Sequence, residues 1–161
     1  MLGRVLIALS FHVFSACVAR ACDATAPCEI GDGRYFVRAP VGWNGSAALP
    51  VVVFFHGYRS SAVQVMADAS LGDALSSAGV LLVAPDGLKG SWTIGGRLST
   101  GRDDIAFARA VMADVEKRFP VDTSRRIAAG FSAGGFSRST GVMRSVAMRL
   151  RLLRSTWKRK P

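Results

Sequence analysis

Residues 126–135 read Arg126-Ile127-Ala128-Ala129-Gly130-Phe131-Ser132-Ala133-Gly134-Gly135. Arg126–Gly130 (RIAAG) is a short apolar run of strand type, and it leads without a break into Gly-x-Ser-x-Gly. In that order the residues describe a sharp strand-to-helix turn that lifts a serine hydroxyl above the end of a sheet. Glycines flank the serine because the turn is crowded and a β-carbon there would clash. The amide of the next residue, Ala133, then points to where a tetrahedral oxyanion would form. Five residues are a weak signal alone; the preceding strand and the further small residue Gly135 strengthen it. Ser132 is the candidate nucleophile.

Upstream, strands and helices alternate. Arg34–Pro40 (RYFVRAP) reads as a short strand closed by Pro40. Leu49–Phe55 (LPVVVFF) is a continuous apolar run, expected of a strand covered on both faces. Ser60 and Ser61 offer N-cap oxygens for a helix whose apolar side carries Val63, Met66, Ala74, Leu75 and Ala78, with Gly79 as its stop. Val80–Ala84 (VLLVA) is a second buried-strand run, ended by Pro85-Asp86-Gly87. Leu88–Gly101 is a Gly-rich loop holding Trp92; its glycines match no phosphate-binding pattern. A clearer helix spans about Asp103 to Arg118, with Ile105, Ala108, Val111, Met112, Val115 and Phe119 at helical spacing and Pro120 beyond. Asp103 and Asp104 fall in its first turn, where the helix dipole favours negative charge, and are read as structural. The alternation implies an α/β domain: a mostly parallel sheet with flanking helices and right-handed crossovers.

RYFVRAP, VVVFFHG, LLVAPDG, the Trp92 loop, RDDIAFARAVMADVEKRFPVD and RRIAAGFSAGG, in this order across residues 34–135, resemble secreted α/β-hydrolases of the polyhydroxybutyrate depolymerase and feruloyl esterase-like family. The resemblance implies the N-terminal half of an α/β-hydrolase fold and a serine esterase acting on short-chain polyesters or phenolic esters. Ser132 would be its nucleophile. Phe55-His56-Gly57-Tyr58 ends the first central strand, where this fold carries an HG motif. The backbone amides of Gly57, Tyr58 and Ala133 are thereby the expected oxyanion hole. His56 reads as a loop histidine that shapes the turn rather than as the base. Together with Trp92 it is also a candidate for the substrate cleft. No cofactor or metal is implied.

Beyond Gly135 the family continues into further strands, an acidic residue and a histidine. Here residues 136–161 read FSRSTGVMRSVAMRLRLLRSTWKRKP, with no Asp, Glu or His. Ser132 therefore gains no general base from this segment, and a serine normally needs one within hydrogen-bond reach. Nothing in the positions of Lys89 or Lys117 recommends either as a substitute. The expectation is a hydrolase domain over residues 22–135 that is incomplete and inactive as it stands. Its elbow strand would be left as an open, aggregation-prone edge.

Charge divides the chain in the same place. Lys and Arg number 21 against 11 Asp and Glu, yet residues 22–135 are neutral while 136–161 carry eight basic side chains and no acid. This tail has three readings. One is an out-of-frame translation, which its abrupt Arg-rich, acid-free composition favours. Another is a basic amphipathic helix on anionic membrane, with Val142, Val146, Leu150 and Leu153 on one side. A nucleic-acid arm comes last, since only Trp157 offers stacking. The non-catalytic alternative for the whole chain is thus a binder of ester polymer or membrane surface.

Residues 1–21 read as an address. Arg4 gives a positive start, Val5–Ala19 are uncharged, and Ala19-Arg20-Ala21 fits a cleavage site. Fifteen uncharged residues are too few for a spanning helix, which needs about 20. Secretion or periplasmic export after cleavage near Ala21 is the favoured reading; lipid attachment at Cys17 or a retained anchor are alternatives. Cleavage leaves Cys22 and Cys28, a spacing that can close a small disulfide loop in an oxidising compartment. Oligomeric state is not indicated.

Overall fold

The computed structural model describes residues 22–93 and 100–136. The expectations placed on residues 1–21, including Cys17, and on the tail from 137 onward fall outside them. The order is β1 (Cys28–Ile30), β2 (Gly33–Arg38), β3 (Leu49–Phe55), α1 (Ala62–Ala67), α2 (Ala69–Ser77), β4 (Leu81–Pro85), α3 (Asp104–Arg118), β5 (Val121–Gly130) and α4 (Ala133–Phe136).

The strands form one sheet in the order β1-β2-β4-β3-β5. β4, β3 and β5 run parallel, β2 joins β4 antiparallel, and β1 joins β2 antiparallel at the edge. The sheet is therefore mixed, with RYFVRAP supplying an antiparallel strand. Period-two alternation explains its two packed faces. Val51, Val53 and Phe55 join Tyr35, Val37, Leu81 and Val83 under Phe107, Val111 and Val115 of α3. Between them, Val52, Leu82, Ala84 and Phe36 turn to the other face and meet Ala62, Val65 and Met66 of α1. The uninterrupted apolar run of β3 is what covering both faces demands.

The expected helix after Ser61 is two helices. Ser61 caps the first, its side chain accepting the Gln64 N–H. Asp68 then ends that helix and caps the next, its carboxylate accepting the Leu71 N–H at 3.0 Å. A short polar side chain that satisfies an orphan helix donor makes the break stable. Within the first helix Val65 and Met66 face the core, whereas Val63, expected on the apolar side, is half exposed. β5 is likewise longer than RIAAG, because the chain rejoins β3 directly after Pro120, across a register shift between Leu49 and Val51. Among the described residues β5 pairs on one side only, and Ile127 is 45% exposed. At the N-terminus Cys22 and Cys28 form a disulfide with Cα atoms 5.1 Å apart, and both cysteines are buried in the α3-side core.

Candidate active site

The end of β5 and the end of β3 meet at the carboxyl edge of the parallel strands. The Phe131 N–H donates to the Phe55 carbonyl at 3.1 Å, and the Gly134 N–H to the Phe131 carbonyl at 2.9 Å, closing a tight turn around Ser132. Ser132 sits at φ +50°, in the left-handed region, and is exposed. Strain of this kind, on the order of 1–3 kcal/mol, persists only where the surroundings enforce it. Here they do. A β-carbon on Gly130 would lie 2.7 Å from the Gly134 backbone, and one on Gly134 would lie 2.1 Å from the Phe55 carbonyl oxygen. The glycines let two backbones close on each other, and the serine between them is thrust upward. The helix α4 starts at the next residue.

Gly57 lies against the same turn: a β-carbon there would be 3.2 Å from the Phe131 ring and 3.7 Å from Ser132 Cβ. The structure thus brings Gly57, Ser132 and Ala133 into one corner, with the exposed rings of Tyr58 and Phe131 beside them. Among the described residues, neither the Tyr58 nor the Ala133 N–H donates to a backbone carbonyl.

His56 and Trp92 are placed differently from the cleft positions assigned to them. Each is only 1% exposed and belongs beneath the corner, so neither lines an open groove. The His56 Nε2 accepts the Gly87 N–H at 2.8 Å, which leaves the ring proton on Nδ1, where it is donated to the Gly57 carbonyl at 2.8 Å. With both nitrogens committed, the ring is no base for Ser132. The Trp92 indole N–H donates to the His56 carbonyl at 2.8 Å, its ring edge-on to Phe55 with centroids 5.1 Å apart. In a trans peptide the C=O and N–H point in opposite directions, and the described chain has no cis bonds. Holding the His56 carbonyl therefore turns the Gly57 N–H away from Trp92. Holding the Gly57 carbonyl turns the Tyr58 N–H away from the imidazole.

Asp103 and Asp104 are both structural but unlike each other. Asp103 caps α3, its carboxylate accepting the Ile105 and Ala106 N–H groups at 3.0 Å each. Asp104 is buried in an ion pair with Arg102, Nε to Oδ1 at 2.7 Å. The sequence marks Asp86 and Gly87 only as the turn that ends a strand, and gives Arg102 no role. A charged residue just after a Gly-rich loop looks like solvated surface, and no spacing rule links Arg102 to the Asp86–Gly87 turn.

A three-stranded parallel core with flanking helices and a serine on a left-handed turn at a strand end is the arrangement of part of an α/β-hydrolase. The fold is that of an α/β-hydrolase. No protein-family model matches the chain. It is 30% identical over 106 residues to feruloyl esterase B of Piromyces equi, covering 63% of this chain and 20% of that protein. It is 29% identical over 112 residues to feruloyl esterase C of Emericella nidulans, covering 66% and 40%. The chain thus spans a fifth to two fifths of these curated relatives. Among solved structures, S-formylglutathione hydrolase of Staphylococcus aureus superposes with a TM-score of 0.55 at 17% identity, over 69% of this chain and 48% of that one. Acetyl xylan esterase of Aspergillus awamori gives 0.53 at 19%, over 71% and 42%. These solved structures thus share their fold with about 70% of this chain, over less than half of their own length.

Proposed function

We propose that this chain carries the nucleophile-bearing part of a secreted serine carboxylic-ester hydrolase, with Ser132 as the nucleophile. The observation that supports this best is the exposed serine at φ +50° on a turn that two glycines alone permit. A strained, over-determined backbone at a serine is the mechanical requirement of nucleophilic catalysis on this fold. The amides of Gly57, Tyr58 and Ala133 are the donors that would receive charge from the carbonyl oxygen. The feruloyl esterase relatives favour an aromatic acyl group over a polyhydroxybutyrate chain as the substrate. The Cys22–Cys28 disulfide fits an oxidising compartment, in line with export.

In the reaction, Ser132 Oγ attacks the ester carbonyl carbon and loses its proton to a base. The oxyanion is held by the three amides, the alcohol departs with a proton, and water then releases the acid from acyl-Ser132. Among the described residues the single histidine, His56, is already committed, so the base has to be supplied from outside them. The experiment follows from that. Imidazole added to the full chain stands in for the base, and nitrophenyl acetate reports acyl transfer. Imidazole-dependent turnover above that of Ser132→Ala is expected. Equal rates in the two proteins would overturn the enzyme reading in favour of a non-catalytic binder.

A further inference from the structure

The Gly87 N–H that sets the His56 tautomer belongs to the same peptide unit as the Asp86 carbonyl. That carbonyl accepts from Arg102 Nη2 at 3.1 Å. A guanidinium on the oxygen side of an amide draws charge through the peptide and makes its N–H a stronger donor, as in any hydrogen-bonded chain. Arg102 is held for this task from three sides. Its Nε meets Asp104 Oδ1 at 2.7 Å, and its guanidinium lies 3.8 Å from the Phe107 ring centroid and 5.9 Å from that of Trp92. Asp104 uses its other oxygen on the Trp92 side: Oδ2 accepts the Thr93 N–H at 2.5 Å, next to the indole that holds the His56 carbonyl. Both bonds that orient the Gly57 and Tyr58 amides thus run back to one buried ion pair.

We propose that Arg102 is a positioning residue: acting through the Asp86–Gly87 peptide, it fixes the Nδ1–H tautomer of His56 and so aims the backbone amides beside Ser132. Its effect on turnover rests on the esterase reading; its effect on the imidazole does not. A buried ion pair can be exchanged for apolar residues of similar volume with little loss of stability, whereas removing one partner is costly. Asp104 also accepts the Thr93 N–H, so Arg102→Met is combined with Asp104→Asn, which removes both charges, keeps an acceptor oxygen for Thr93 and separates positioning from folding. Arg102→Lys is the second probe, since a lysine can pair with Asp104 but lacks the fork that also reaches Asp86.

The measurement is nitrogen NMR of the full chain, labelled with ¹⁵N. The wild type should show a protonated Nδ1, a bare Nε2 and a through-hydrogen-bond coupling between the Gly87 amide nitrogen and His56 Nε2. In the double variant and in Arg102→Lys that coupling should vanish, the ring nitrogens should shift toward a mixture of tautomers, and the Tyr58 amide resonance should move. Imidazole-supported turnover should fall about tenfold with KM unchanged, less than the 10²–10³ lost when an oxyanion donor is deleted outright. A wild type without the coupling overturns the proposal, and so does a single Nδ1–H tautomer that survives in both variants. If the wild type shows no Ser132-dependent turnover, the esterase reading fails and the NMR result still decides the role of Arg102.

Discussion

Gly134 packs so tightly against Phe55 that a β-carbon on the glycine would come within 2.1 Å of the phenylalanine carbonyl oxygen. Backbone cannot yield as the end of a flexible side chain can. Gly134→Ala is therefore expected to cost about 3 kcal/mol or more, the upper range for overpacking. Gly135→Ala, whose β-carbon would sit 3.2 Å from the Gly130 carbonyl oxygen, should cost clearly less. Urea denaturation of the two variants checks the order. Equal loss would mean that the turn is not closed in this way.

Neighbouring aspartates at the start of α3 should behave unequally. Asp103→Ala removes a helix cap and should cost about 1 kcal/mol. Asp104→Ala strands the buried Arg102 and should cost about 3–5 kcal/mol. Thermal melts of both variants test this, and comparable shifts would contradict the burial of the pair.

Tyr35 and Asp114 set opposite limits on stability with pH. The Tyr35 hydroxyl donates to Asp114 Oδ2 at 2.8 Å, and Arg118 Nε reaches the same oxygen at 2.8 Å. Burial, then the hydrogen bond to Asp114 and its charge, push the Tyr35 phenol up from its ordinary value. Partial burial opposes ionisation of Asp114, but the hydrogen bonds from Tyr35 and Arg118 outweigh it and hold the carboxyl below the usual range. A raised folded pKa gives stability that is present below about pH 10 and lost above it; a lowered one gives stability present above about pH 4 and lost below it. Tyr35→Phe should flatten the alkaline arm at a cost of about 1 kcal/mol at neutral pH. Melting temperature against pH for both proteins is the check, and an unchanged alkaline arm would contradict the assignment.

Cys22 and Cys28 close a short loop onto the core. For a loop of this size the chain-entropy account gives about 2 kcal/mol. Replacing both with serine should lower the melting temperature, and reductant should do the same to the wild type alone.

What consecutive residues demand of the backbone was legible in advance. The elbow at Ser132 is written in Gly130 and Gly134, and the two-sided covering of β3 in LPVVVFF. The Asp68 break was hidden because a capping aspartate inside an amphipathic run looks like surface charge until its carboxylate is seen on the Leu71 amide. His56 could be placed at a strand end, but its tautomer depends on Gly87, 31 residues away. Arg102 and Asp104 were hidden for a related reason. Their charges are buried only because three separated segments converge on them, and no spacing rule records that.

As a nucleophile presented to an ester carbonyl, Ser132 should react with an electrophile aimed at serine hydrolases. A fluorophosphonate probe, incubated with the full chain in the presence of imidazole and followed by intact mass and peptide mapping, tests it most directly. One adduct per chain is expected, on the peptide containing Ser132, and none on Ser132→Ala. An unlabelled wild type, or an adduct on the exposed Tyr58 that persists in Ser132→Ala, would contradict it.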